Sequence, residues 1–220
     1  MLRVRTEKLI RPRHFALAGV CCIGLLLGAC TSRSSSPSGS APAQNGTPVT
    51  GRMAFQEMFS AARMWAPDAQ PQSLESGNLD AVSTLDGKAP VWRARFVSQS
   101  KRQQRTYQYV SVQIPDGPDK GIGQGRADSW DGSEPFDVAF IKTDSDAAFQ
   151  IAQKHGGASL LKAHKNYHVF YDLDREELNL GRGVAWQISY GDNRATAPLV
   201  VHVASDTGRF LDATGPAAIR

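Results

Sequence analysis

Two histidines four residues apart, His164 and His168, could do chemistry, because one turn of helix would bring both imidazoles to a single face where a metal could sit. Their neighbours Tyr167, Val169, Phe170 and Tyr171 favour a strand instead, in which residues four apart share a face but lie roughly 13 Å from each other. No metal site is expected there. Asp172, Asp174, Glu176 and Glu177 offer carboxylates for calcium or for acid and base work. The run lacks the glycine turn and register of an EF-hand, so it reads as a solvated acidic loop. Gly121-Ile122-Gly123-Gln124-Gly125-Arg126 has the glycine content of a phosphate cradle, but such a cradle must follow a buried strand and open a helix. Here the glycines lie between Asp119-Lys120 and Asp128-Ser129, which predicts a flexible interdomain loop. No serine stands in Gly-x-Ser-x-Gly. With no catalytic constellation and no cofactor or metal motif, the chain is expected not to be an enzyme.

The elements that must position these residues follow from periodicity. Met53, Phe55, Met58, Phe59, Ala62, Met64 and Trp65 recur at helical spacing up to Pro67, which predicts a helix over 53–65. A turn-rich stretch leads through Asp86-Gly87 to two runs rich in aromatic and β-branched residues, Val91 to Val97 and Thr106 to Ile114. They predict paired antiparallel strands joined by a polar loop from Ser98 to Arg105. Pro115 to Pro135 reads as a loop between halves. The order then recurs: a helix over 143–154, capped by Thr143 or Ser145 and stopped by Gly156-Gly157, then strands at 160–171, 184–190 and 199–203, the last two joined by a turn at Gly191-Asp192-Asn193. Ser205 to Leu211 closes as a turn and a short strand. Trp92 of the first half matches Trp186 of the second by position in this pattern. Trp65, Trp92 and Trp186 read as packing residues, and Trp130, beside Asp131 and Gly132, as an exposed anchor.

The amino-terminal segment carries an address. Arg3, Arg5, Lys8, Arg11 and Arg13 precede an uncharged run, Phe15 to Leu27, that suits a secretory signal and is shorter than the ~20 residues needed to cross a bilayer as a helix. Leu27-Gly28-Ala29-Cys30 follows at once and resembles the lipobox of bacterial lipoproteins. The resemblance implies cleavage between Ala29 and Cys30 and a diacylglycerol on the Cys30 thiol, with acyl chains numerous enough to hold a membrane. Thr31 after the cysteine favours the periplasmic face of the outer membrane if the organism is diderm. Residues 31–51, rich in Ser, Pro, Gly, Ala and Thr, predict a flexible tether spanning roughly 25 Å.

That address changes the charge balance. Taking the five bases and one acid of residues 1–29 from totals of 25 bases and 21 acids leaves twenty of each, so the formal net charge of the mature chain is zero. Nucleic acid is therefore not an expected partner. Cys21 and Cys22 leave with the leader, and the mature domain has neither a disulfide nor a catalytic thiolate.

Four features of the second half, over about 141–211, resemble a PepSY domain: the helix Asp146-Ala147-Ala148-Phe149-Gln150-Ile151-Ala152-Gln153-Lys154, the Gly156-Gly157 stop, the strand Trp186-Gln187-Ile188-Ser189-Tyr190, and a closing Ser205-Asp206-Thr207-Gly208-Arg209-Phe210-Leu211. Ala204-Ser205 stands where Val-Asp is usual, and His164 to Gly183 is an insert against the family pattern. The resemblance implies a small α+β unit, a helix on an antiparallel sheet, often in tandem, acting as a non-catalytic module proposed to modulate peptidases. The expected organisation is a signal peptide over 1–29, a lipidated cysteine and linker over 30–52, a first α+β half over 53–135 and a PepSY-like or cystatin-like second half over 136–220. Expected partners are the membrane, through the lipid, and an envelope protein or peptide. The alternatives are an envelope hydrolase or metal-dependent enzyme using His164, His168 or the acidic run, and a structural lipoprotein of envelope assembly.

Overall fold

Apolar residues at helical spacing need a surface to cover, and strands with one apolar face provide it. In the computed structural model, which describes residues 46–79, 82–113, 115–178 and 181–218, these two kinds of element form one layered α+β unit. Cys30, Ala29, the leader and most of the tether lie outside the described residues. Among those described, no helix is long and apolar enough to cross a membrane.

Strand β1 (Val49–Thr50) leads into helix α1 (Gly51–Trp65), followed by β2 (Gln70–Gly77), β3 (Lys88–Ala89), β4 (Val91–Ser98), β5 (Gln103–Val110) and β6 (Gly121–Ser129). After a short 3-10 turn over Val138–Phe140 come α2 (Ser145–Ala152), α3 (Ala158–Ala163), β7 (His168–Leu178), β8 (Gly181–Gly191), β9 (Leu199–Ala204) and β10 (Phe210–Thr214). Apart from the small β1–β3 pair, the strands form a single antiparallel sheet in the order β10-β9-β8-β7-β2-β4-β5-β6. Each half is thus a helix followed by a meander, and the halves fuse edge to edge where Ser73, Leu74 and Glu75 pair with Asp174, Leu173 and Asp172.

The helices cover one face of this sheet. Ala54, Phe55, Met58 and Ala62 of α1 and Ala148, Phe149 and Ala152 of α2 bury against Phe96, Tyr107, Leu173, Ile188 and Val201 in one continuous core. The matching of Trp92 to Trp186 has a structural counterpart. The Trp92 Nε1–H donates to the Val49 carbonyl at 3.0 Å and the Trp186 Nε1–H to the Thr143 carbonyl at 2.9 Å, each bond spanning 43 residues. In both halves the acceptor lies two residues before the helix, so each indole ties its strand to the entry of its own helix. The two rings meet edge to face with centroids 6.3 Å apart, and both are fully buried.

The helix starts converge at the same place. Asp144 accepts through Oδ1 from the Ser145 N–H at 2.7 Å and from the Arg52 N–H at 2.9 Å, so one carboxylate caps α1 and α2 together. Ser145 Oγ accepts from Gly51 N–H at 2.7 Å and donates to the Gly87 carbonyl at 2.5 Å. A Cβ on Gly51 would stand 2.7 Å from the Trp186 ring and 3.1 Å from Trp92, so only glycine lets the helix start this close to both indoles.

Several sequence expectations are corrected here. The turn-rich stretch after Pro67 contains β2, a strand at the middle of the sheet that its Gln, Ser and Pro content conceals. The expected interdomain loop over Gly121–Arg126 is most of edge strand β6, whose glycines leave one long side exposed. Gly156-Gly157 does end the second helix, since His155 (φ −108°, ψ 40°) and Gly156 (φ +108°) leave helical geometry, but a separate short helix, α3, follows the kink where a strand was expected. The strand expected over 160–171 therefore begins only at His168, and the supposed insert after His164 is largely the β7–β8 hairpin.

Replacing either buried indole with alanine is expected to destabilise the domain by about 3–5 kcal/mol, as for other large-to-small core changes. Because the rings touch, the double substitution Trp92→Ala with Trp186→Ala should cost less than the sum of the singles. Urea unfolding of the four proteins measures this, and strict additivity would mean that the two tryptophans do not couple the halves.

Candidate functional site

Strand alternation puts Trp92, Ala94 and Phe96 under the helices and turns Arg93 and Arg95 to the opposite, helix-free face. Register extends that pattern across strands. A polar row runs from Gln108 on β5 through Arg93, Glu75, Asp172 and Gln187 to His202 on β9 and Asp212 on β10. Its members bond laterally: Arg93 Nε donates to Gln108 Oε1 at 3.1 Å, Arg93 Nη1 lies 3.8 Å from Glu75 Oε1, and His202 Nδ1 lies 2.6 Å from Asp212 Oδ1.

Arg194, from the loop between β8 and β9, reaches over this row. Its Nη2 donates to the Ser76 carbonyl at 2.6 Å, its Nε lies 2.8 Å from Asp172 Oδ2, its Nη1 lies 4.0 Å from Glu75 Oε2, and its guanidinium stacks 5.2 Å above the Phe170 ring. The contact with Asp172 is close but oblique, an ion pair rather than an aligned hydrogen bond. Burial pushes the Asp172 carboxyl up to about 6, and Glu75 adds to the rise, while the charge of Arg194 opposes it without cancelling it.

Beside this cluster a cleft of about 490 Å³ opens at the end of the helix-free face. Leu79, Val91, Pro118 and Phe170 give it apolar walls, and Arg93 and Arg194 give it two guanidiniums. Arg194 is held by the contacts above. Arg93 is half-exposed and, among the described residues, donates through Nε to Gln108 and lies 3.8 Å from Glu75, which leaves its five-donor guanidinium capacity for a further acceptor. Asn78 Oδ1, in the cleft wall, is buried without a hydrogen-bond partner among the described residues.

The residues singled out by sequence fall elsewhere or take other roles. His164 follows the end of α3 and stacks on Tyr167 at 4.5 Å, whereas His168 begins β7 with its ring 6.2 Å from Phe170, so the two share neither a helix nor a strand. Asp172 and Asp174 lie on β7 rather than in a solvated loop. Asp172 is mostly buried because its strand crosses the middle of the sheet. Of Glu176 and Glu177, only the backbone placement on β7 is described. Among the described residues, no group of three or more His, Cys, Asp or Glu could hold a metal. The glycines at 121–126 open no helix. Trp130 is half-buried, its indole N–H donating to the Ser133 carbonyl at 3.0 Å. The spacing Ser-x-x-Lys occurs at Ser98/Lys101, where the hydroxyl donates to Asp68 at 2.7 Å, and at Ser159/Lys162 on α3. Arg93 was legible as an outward residue from its alternation with Trp92 and Ala94. Glu75, Phe170 and Arg194 had no comparable signal.

No protein-family model matches the chain. No curated protein matches it either. Among solved structures, the chain is similar to one described as a "putative lipoprotein" from Clostridium difficile 630, at 16% identity over 73% of this chain and 91% of that one, with a TM-score of 0.47. A likeness at that level assigns neither family nor function.

Because the folded Asp172 carboxyl sits near 6, above its ordinary 3.8, ionising it costs stability in the folded state. The favourable contribution of its protonated form is complete below about pH 4 and is lost as pH rises through about 6. Roughly 2–3 kcal/mol of stability should therefore be gained between pH 7 and pH 4 from this group alone. Asp172→Asn should flatten that part of the profile. Thermal melts of the two proteins across this range test it, and profiles that stay parallel would place the titration elsewhere.

Proposed function

We propose that this chain is a bacterial lipoprotein, moored to the cell envelope through Cys30, whose folded domain is a non-catalytic binding module. The address rests on the lipobox-like Leu27-Gly28-Ala29-Cys30 directly after an uncharged segment too short to span a bilayer. In a diderm organism the lipid, palmitate among its acyl chains, would hold the domain at the periplasmic face of the outer membrane.

The observation that carries the binding reading is the division of labour between the two faces of the sheet. One face is closed by helices into a single core, while the other keeps a charged row and a cleft fixed on neighbouring strands. Side chains on paired strands are held by backbone register, a rigid platform of the kind recognition needs. The PepSY-like features of the second half suggest the form such binding would take: engagement of an envelope peptidase or a peptide, with the helix-free face turned to it. Two helix-plus-meander halves in one chain agree with a tandem arrangement.

Two experiments test this. Growth with radiolabelled palmitate should label the wild-type protein and leave Cys30→Ala unlabelled and released from the membrane fraction. Equal labelling of both would overturn the anchor. Crosslinking in intact cells, followed by solubilisation, should recover a stoichiometric protein or peptide partner that Arg93→Glu loses. Recovery of none, or undiminished recovery with the variant, would remove the helix-free face as the binding surface.

A further inference from the structure

The cleft beside Arg93 combines two properties that together define a ligand. Leu79, Val91, Pro118 and Phe170 make its walls apolar. The guanidinium of Arg93 presents its outer N–H groups toward solvent at the cleft, where a carboxylate can take two of them at once. We infer that this cleft binds a terminal carboxylate carried on an apolar residue, as found at the carboxy-terminus of a peptide or in an N-acylated amino acid. The carboxylate pairs with Arg93 and the apolar side chain rests on Phe170 and Leu79. The inference rests on the binding reading above and names the ligand class for its site.

The surrounding charges favour this assignment over a cationic ligand. Arg93 and Arg194 face Glu75 of β2 and Asp172 of β7, with Asp174 further along the same strand and the uncharged Gln187 opposite on β8. Arg194 sits closer to Asp172 than to Glu75, so Glu75 alone lies between the two guanidiniums. When Asp172 takes up a proton, the charge of Arg194 loses its nearest counterpart and the cleft gains positive potential. An anionic ligand should therefore bind more tightly in mild acid, and a cationic one less tightly.

Calorimetric titration of the detergent-solubilised full chain with N-acetyl-phenylalanine, its carboxamide, and the tripeptide Ala-Ala-Phe with a free or amidated terminus provides the test. The free acids should bind and the amides should bind at least about tenfold more weakly, since a charge-assisted bidentate pair is lost. Arg93→Gln, at a half-exposed position, should weaken the acids about tenfold and leave the amides unchanged. Between pH 8 and pH 5 the acids should gain affinity severalfold, and Asp172→Asn should show the tighter binding at both pH values. Stronger binding of the tripeptide than of N-acetyl-phenylalanine identifies a peptide terminus as the source of the carboxylate, and equal binding identifies a small acid. Acid and amide binding alike, no binding of either, or an unchanged Arg93→Gln protein would overturn the inference. If the partner recovered from cells still depended on Arg93, the binding module would stand and only the ligand class would fall.

Discussion

A helix-plus-meander half of this kind has two places where backbone groups run out of partners: the open edge of its first strand and the start of its helix. In this chain both needs of the first half are met by the second. Strand β2 pairs with β7 through three residues on each side, and directly behind that seam Asp144 caps both helices while Ser145 receives the Gly51 N–H. Buried N–H groups without acceptors are costly, so α1 cannot begin where it does unless the start of α2 is already beside it. The seam is also where the two indoles meet and where Gly51 leaves room for them. The central pairing therefore fixes core, caps and register together.

The same seam determines what the helix-free face can present. Pairing Glu75 with Asp172 places two carboxylates on adjacent strands, an arrangement that repels unless a cation intervenes. Arg194 supplies that cation from a loop more than a hundred residues beyond β2, and in doing so bridges the two halves over the top of the sheet. The compensation is partial, because the pair is mostly withdrawn from water and Asp172 remains hard to ionise. Stability and site chemistry are thus linked through one side chain: what closes the seam on this face also lines the cleft.

Local signals made much of the architecture legible. The periodicity of Met53 to Trp65, the alternation around Trp92 and Trp186, and the recurrence of the pattern pointed to helix-on-sheet halves, and these are present. Positions that depend on partners distant in sequence were not legible. Strand β2 reads as turn because its Gln, Ser and Gly are poor strand formers, yet it lies between β4 and β7 and the sheet overrides propensity. Gly156 stops the second helix as its signal implied, but the short helix α3 beyond the kink had no local signal to set it apart from the strand expected there. The cleft was hidden for the same reason, since Arg93 of the first half meets Phe170 and Arg194 of the second only once the halves have paired. Sequence spacing drew attention instead to His164 and His168, which do not act together.

The order in which ribosomes deliver the chain gives the three-residue seam a temporal meaning. Strand β2 is made early, whereas β7 and β8 belong to the later part of the polypeptide. At typical elongation rates about ninety residues take roughly 5–20 s to emerge. For that interval the earlier half has a bare strand margin and an unmatched indole, the features that invite wrong partners. A protein joined this way is most vulnerable between the appearance of its first half and the arrival of its second, so helpers that shield nascent chains would matter most in that window.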